Sequence, residues 1–177
     1  MRMHALERLL RHDAWTTRSL LTLAIPLTDA QLDQEFDIGA RSLRRTFVHI
    51  VSCMECWCDL MAGQQQRSGN ETNRTTIADL TERLEVVAAE LLALGIRVIS
   101  EGREDEYFID YLDKPPTRKP LGGALVHVAT HGMHHRAQAL YIMRKLGVTG
   151  LPEGDALGWE QQYLGRGVWP VVGLDQE

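Results

Sequence analysis

Three histidines fall within five consecutive positions of the chain, in the segment THGMHHRAQ at residues 130–138. A helix turns by about 100° per residue, so His131 and His135 lie about 40° apart on one helical face. Two imidazoles one turn apart can bind the same metal ion, because their ring nitrogens converge. His134 lies about 60° from His131, near the edge of this face. The remaining side chains on the face indicate that it points inward: Ala124, Val128, Gln138 and Ile142.

A third metal ligand has to come from a different helix. His127 is aligned with the pair, but it lies about 12 Å along the axis from His135, and metal–nitrogen bonds of about 2 Å cannot span that distance. The segment RTFVHIVSCMECWCDLMAG, residues 45–63, provides His49 as the best candidate and Cys53, one turn later, as the alternative. Three imidazoles leave coordination positions open for water or substrate, which is typical of catalytic rather than structural zinc sites.

Each histidine also has an interpretation without a metal. A single inward histidine is usually a hydrogen-bonded core residue, and this is the alternative for His49. His134 is interpreted as a supporting or surface group, and His127 as a packed or solvent-exposed residue. His4 and His12 are expected at the surface of the first helix.

The three cysteines follow the pattern C-x2-C-x-C, as Cys53, Cys56 and Cys58. On a helix Cys53 and Cys56 share a face whereas Cys58 turns away, which disfavours a site with three thiolates. The chain has no second cysteine pair that would complete a zinc ribbon. The favoured interpretation is three small buried apolar residues, and a redox pair of Cys53 and Cys56 is the alternative.

Apolar periodicity, capping residues, glycine and proline predict the elements that position these groups. A helical turn is expected after Thr28 as N-cap. The polar residues 63–75 predict a connection. Three prolines exclude a helix in residues 102–120, where a short extended excursion is predicted. The segment GDALGWEQQYLG indicates a short fifth helix. The first long helix is predicted at residues 4–24, before Pro26, and the second runs from Ser42 as N-cap to Gly63. The third begins after Thr76 as N-cap, with Asp79 close to a capping box. The fourth covers residues 121–146, before Gly147.

These elements predict an all-α fold, a four-helix bundle with a short additional C-terminal helix. A chain of 177 residues suits one domain better than two, so a single domain over residues 1–177 is expected. The second long helix carries apolar or weakly polar side chains on two opposite faces, which favours a homodimer. One face carries Leu43, Phe47, Ile50, Val51, Met54, Cys58 and Met61, and the other carries His49, Cys53, Cys56 and Leu60.

Composition excludes several classes of partner. The formal net charge is −5 and the pI is about 5.8, without a basic run, so no nucleic-acid partner is expected. The apolar stretches are short and interrupted by charges, so no membrane-spanning helix is expected. The first residues, MRMHALERLLRHDAW, carry charges throughout and do not read as a signal peptide. We therefore expect a cytoplasmic protein whose cysteines are reduced thiols.

The helix with the histidine pair resembles that of the DinB/YfiT-like metalloprotein superfamily. Members of this superfamily read H-x3-H-R-[GA]-Q or a close variant, and His131, His135, Arg136, Ala137 and Gln138 match it. The segment HDAW near the start and the terminal segment DALGWEQQYLG add to the resemblance. It implies a four-helix bundle, often a homodimer, with a three-histidine site for a divalent metal, commonly nickel or zinc.

Carried over residue by residue, the resemblance implies that His49, His131 and His135 are the metal ligands. Gln138 is a candidate to orient the second nitrogen of a ligand or a metal-bound water, with a buried amide that bonds to a neighbouring helix as the alternative. Arg136 is offset by about 140° from His131, so it is interpreted as an outer ion-pair partner.

Relatives within the superfamily imply the activity. They include transferases and isomerases that use low-molecular-weight thiols such as mycothiol or bacillithiol, and proteins linked only to damage-inducible expression. The resulting hypothesis is a divalent-metal-dependent enzyme, either a thiol-dependent S-transferase or a hydrolase, that acts on a small molecule. The alternatives are a non-catalytic metal-binding or stress-related protein, and a structural dimerising bundle. No residue identifies the substrate or the thiol.

Overall fold

In the part of the chain that the structure describes, four long helices form the bundle, and two short helices and one β-hairpin connect to it. The structure is a computed structural model that describes residues 3–67 and 75–163. The predicted connection at residues 63–75 therefore lies partly outside the described residues. In chain order the elements are α1 (Ala5–Ala24), α2 (Asp29–Asp33), α3 (Leu43–Met61), α4 (Ile77–Ser100), β1 (Tyr107–Asp110), β2 (Thr117–Pro120), α5 (Leu121–Lys145) and α6 (Ala156–Tyr163).

Side chains cap the helix starts where the sequence predicts them. The hydroxyl of Thr28 accepts a hydrogen bond from the Gln31 backbone and forms a capping box at α2. Ser42 caps α3, and Thr76 forms a capping box with Asp79 at α4. These bonds satisfy backbone N–H groups that have no partner within the helix, so they fix where each helix begins.

The long helices pack as a ring in which α1 and α3 each contact both α4 and α5. Their inward faces supply a continuous apolar core that includes Leu21, Phe47, Leu84 and Ile142, each fully buried. The predicted all-α bundle with a short additional C-terminal helix is confirmed. None of the described helices has the length and hydropathy needed to cross a membrane.

The predicted extended excursion is an antiparallel hairpin. Tyr107 of β1 pairs with Pro120 of β2, and Asp110 pairs with Thr117. Because β2 leads directly into α5, the hairpin lies over the end of the bundle where α5 begins. The Phe108 ring meets the Trp57 ring of α3 edge to face, with the ring centroids 6.4 Å apart.

A buried ion pair joins α1 to α5 and corrects one expectation. Arg136 is an ion-pair partner as predicted, but it is not an outer one, since its side chain is 7% exposed and the carboxylate of Asp13 is 2% exposed. The Arg136 guanidinium also donates to the Thr17 hydroxyl at 3.1 Å. Gly132 leaves space for the carboxylate of Asp13, because a Cβ at this position would lie 2.6 Å from one of its oxygens. Burial raises the pKa of Asp13, while Arg136 opposes this rise.

His12 is the second correction. It is not a surface residue, because it is 9% exposed and its Nε2 atom lies 2.8 Å from the carbonyl oxygen of Gly154. The Trp159 ring of α6 meets the His12 ring edge to face, with centroids 6.0 Å apart. Packing of α6 and its preceding loop on α1 covers this position. His4 is exposed as predicted, and its side chain caps α1.

The second face of α3, which favoured a homodimer, is partly covered within the chain. Leu60 is 7% exposed, and Cys53 and Cys56 are half-buried. His49 on this face contacts the histidines of α5. Intramolecular packing thus explains part of the pattern, and the homodimer stays a prediction.

Candidate metal centre

The structure brings the side chains of His49, His131 and His135 together between α3 and α5. The Nε2 atom of His135 lies 3.1 Å from that of His49 and 3.2 Å from that of His131. The ring centroids of His49 and His131 are 5.1 Å apart. All three residues are half-buried. The long-range packing of α3 on α5 therefore places the third histidine against the pair.

The separations of the His135 Nε2 atom from those of His49 and His131 match the spacing expected around one divalent ion. With metal–nitrogen bonds of about 2.0–2.1 Å and angles between about 90° and 109°, two imidazole nitrogens lie about 2.8–3.4 Å apart. The separations of 3.1 Å and 3.2 Å fall within this range. Imidazole nitrogens suit zinc, nickel, copper and iron alike, so the donor set fits a transition metal without selecting one.

Gln138 sets which nitrogen of His135 faces the cluster. The Oε1 atom of Gln138 lies 2.8 Å from Nδ1 of His135, and an amide oxygen only accepts, so Nδ1 carries the proton. In the neutral ring the Nε2 atom of His135 then presents a bare lone pair to His49 and His131. The Nε2 atom of Gln138 lies 2.9 Å from Nε2 of His134 and donates to it. The Gln138 amide thereby fixes the orientation of both rings, that of His134 and that of His135.

The electrostatic environment keeps His131 neutral. Burial lowers the pKa of His131 to about 4, and the neighbouring imidazoles of His135 and His49 contribute to the shift. A neutral imidazole offers the lone pair that a metal ion requires, and an imidazolium does not. The lone pair of His131 is therefore available throughout the neutral pH range.

This pKa predicts a pH dependence for the stability of the metal-free protein. The unfolded-state pKa of histidine is about 6.5, whereas the folded-state pKa of His131 is about 4. Between these values the unfolded chain binds more protons, so stability is lost as the pH falls through this window. We expect the free energy of unfolding of the EDTA-treated protein to decline from pH 6.5 to pH 4, and His131→Gln to show a shallower decline. Urea unfolding at several pH values measures this, and equal slopes would contradict it.

Cys53 lies beside the histidine cluster rather than in the apolar core. Its Sγ atom is 3.7 Å from both ring nitrogens of His49, and donor atoms of His49, Cys53 and His131 lie within 4.8 Å of one another. Two sets of three donors thus share His49 and His131. Cys58 is the buried apolar cysteine that the sequence predicts, and burial raises the pKa of its thiol to about 11.

A cavity of about 250 Å³ opens one helical turn from the cluster. It is lined by Trp57, Lys119, Pro120, Gly123, Ala124 and His127. The exposed His127 connects it to the cluster, with its ring centroid 5.5 Å from that of His131 and 5.1 Å from that of Trp57. The Lys119 ammonium pairs with Asp110 at 2.5 Å and Asp113 at 3.0 Å. These carboxylates neutralise the cation, so the cavity favours an apolar group.

The loop between α2 and α3 packs against Gln138, a feature that the sequence analysis did not foresee. Gly39 has a positive φ of +46°, and a Cβ at this position would lie 2.0 Å from Oε1 of Gln138. Only glycine therefore lets the loop approach the amide that orients His135. The signal in the sequence is weak, because a glycine in a polar loop usually indicates only a turn.

Gly39→Ala is expected to move Gln138 away from His135 and to weaken metal binding by about 10–100-fold, the usual cost of losing a group that orients a ligand. Gly102→Ala is the matched control, because Gly102 also has a positive φ, +67°, but nothing lies within 4 Å of its added Cβ. Isothermal titration of both EDTA-treated variants with zinc measures the difference. Equal affinities for the two variants would show that the approach of Gly39 does not support the centre.

The fold and the histidine cluster define the protein as a helical bundle with a candidate metal centre between two of its long helices. The sequence model of the DinB family matches residues 1–160, so the chain belongs to the DinB family. Among solved structures, the chain is similar to the crystal structure of a DinB-like protein from Bacillus cereus ATCC 10987. The TM-score is 0.62 at 21% identity, covering 80% of this chain and 90% of the other. This likeness concerns the fold alone. No curated protein matches the chain.

Proposed function

We propose that the protein is a divalent-metal-dependent enzyme in which His49, His131 and His135 hold the ion. The observation that carries the proposal is the convergence of three Nε2 atoms, with His135 at 3.1 Å from His49 and at 3.2 Å from His131. Nickel and zinc are the metals proposed, because both accept imidazole donors and the DinB resemblance implies them.

The chemistry proposed is activation of a nucleophile. A divalent ion supplies Lewis acidity, which lowers the pKa of a water or thiol that binds it. Three neutral imidazoles add no negative charge, so His49, His131 and His135 leave the charge of the ion undiminished for this purpose. Gln138 keeps the lone pair of His135 directed at the centre.

Within this class we propose a thiol-dependent S-transferase first and a hydrolase second. In the transfer, the sulfur of a low-molecular-weight thiol forms a bond to an electrophilic carbon, the leaving group departs with the bonding electron pair, and the thiol proton passes to water. The apolar cavity beside Trp57 and His127 accommodates the non-reacting part of the electrophile. It lies one turn from His131, about 6 Å along the axis of α5.

The test is an assay of untagged, EDTA-treated protein reloaded with zinc or nickel. Thiol consumption with an aryl halide electrophile is expected only in the metal-loaded protein, and it is expected to be lost in His131→Ala. Hydrolysis of an activated ester without added thiol would favour the hydrolase instead. Stoichiometric metal binding without turnover in either assay would overturn the enzymatic proposal and leave a metal-binding protein.

A further inference from the structure

Two facing helices each present a pair of metal-donor side chains spaced by one turn. On α5 the pair is His131 and His135, and on α3 it is His49 and Cys53. Residues four positions apart on a helix project from the same side, so each pair presents both donors in one direction. Because α3 packs on α5, the two pairs meet. The Nε2 atom of His135 lies 3.1 Å from that of His49, and donor atoms of His49, Cys53 and His131 lie within 4.8 Å of one another.

The sulfur of Cys53 lies within one side-chain rotation of the candidate centre. With a metal–nitrogen bond of about 2.0–2.1 Å and a metal–sulfur bond of about 2.3 Å, nitrogen and sulfur ligands lie about 3.1–3.6 Å apart. The Sγ atom of Cys53 lies 3.7 Å from each ring nitrogen of His49. It also lies within 4.8 Å of a ring nitrogen of His131. A sulfur equally distant from Nδ1 and Nε2 of His49 does not lie along the lone pair of Nε2. The thiolate therefore reaches an ion at this nitrogen through a rotamer change of the Cys53 side chain.

We propose that the thiolate of Cys53 is a fourth donor to the centre, and that it occupies the position which an incoming thiol takes. The proposal rests on the proposed function, since it assumes an ion held by His49, His131 and His135. A thiolate and three imidazoles would together supply the four donors that are typical of a zinc site closed to substrates. A low-molecular-weight thiol would then bind by exchange, with its sulfur in place of that of Cys53 and its proton passed to the displaced Cys53 thiolate.

Exchange makes Cys53 an internal competitor of the co-substrate. When the binding-competent state is only a fraction of the population, the apparent affinity of a ligand is reduced by that fraction. In the absence of co-substrate, the Cys53 thiolate therefore prevents other nucleophiles from binding at the centre. A low-molecular-weight thiol displaces it. Cys56 lies on the same helix and is also half-buried. It belongs to neither set of donors, so this role is not expected of it.

Cobalt(II) tests the proposal, because a cysteine thiolate on this ion gives a ligand-to-metal charge-transfer band in the near ultraviolet. The wild-type protein and Cys56→Ser are expected to show the band after loading with one equivalent of cobalt, whereas Cys53→Ser binds cobalt without it. Titration with 2-mercaptoethanol, followed through the visible bands of cobalt, is expected to give an affinity about tenfold higher in Cys53→Ser than in wild type.

A measurement on the unmodified chain makes the test independent of how the variants fold. Alkylation by iodoacetamide, followed by peptide mass spectrometry, is expected to slow at Cys53 on zinc loading and to remain unchanged at Cys56. Cobalt binding by the wild-type protein without a thiolate band, or equal alkylation of Cys53 with and without zinc, would overturn the role of Cys53 and leave the three-histidine proposal standing. Failure of the wild-type protein to bind cobalt would overturn both.

Discussion

His131→Ala is expected to abolish stoichiometric binding of a divalent metal and to leave the bundle folded. Loss of groups that merely orient a ligand costs about 10–100-fold in affinity, so loss of a ligand is expected to cost more than about 100-fold. The fold is expected to persist because His131 is half-buried and lies outside the apolar core. The measurement is the metal content of untagged protein, by elemental analysis, together with circular dichroism of the helices.

His127→Ala is the matched control for this prediction. His127 is an exposed histidine on the same helix, one turn before His131, and its ring is tilted against that of His131, with 5.5 Å between centroids. It is not among the three converging nitrogens, so its removal is expected to leave the metal content unchanged. Unchanged metal content in His131→Ala, or equal loss in both variants, would contradict the assignment of ligands.

Asp13→Ala is expected to destabilise the protein by about 3–5 kcal/mol, because it leaves the guanidinium of Arg136 buried without its carboxylate. The side chains of this pair are 2% and 7% exposed, so water replaces little of the lost interaction. Urea unfolding monitored by circular dichroism measures the change. Glu106→Ala is the control: its pair with Arg103 is exposed, and such pairs contribute about 1 kcal/mol or less.

A double variant separates the cost of an unpaired charge from the value of the pair itself. Asp13→Leu combined with Arg136→Met is expected to recover much of the stability, since apolar replacements of a buried ion pair are often neutral or stabilising. A loss of less than about 1 kcal/mol in Asp13→Ala alone would contradict the buried pairing, because that is the range of exposed pairs.

The helix limits could be predicted because their causes are local. Thr28, Ser42 and Thr76 cap helices through bonds that span three residues or fewer. Periodicity placed His131 and His135 on one face for the same reason. The residues of α3 indicate His49 first and Cys53 second as the third ligand, the family resemblance also implies His49, and the structure places both beside the pair on α5.

The features that the sequence did not reveal depend on loops that pack over long distances. The approach of Gly39 to Gln138, the burial of His12 under α6 and the cavity beside Trp57 each join segments far apart in the chain. The offset of Arg136 from His131 predicts an outer position, because the sequence does not reveal that α1 packs against Arg136. Homodimerisation, cytoplasmic location, the absence of a nucleic-acid partner and a single domain over residues 1–177 stay predictions.

X-ray absorption spectroscopy of the zinc-loaded protein tests the central claim most directly, because it reports the atoms bound to the ion. We expect three imidazole nitrogens bound to the ion at about 2.0–2.1 Å, identified by the outer scattering of their rings. A shell made of oxygen atoms without imidazole scattering would show that His49, His131 and His135 do not hold the metal.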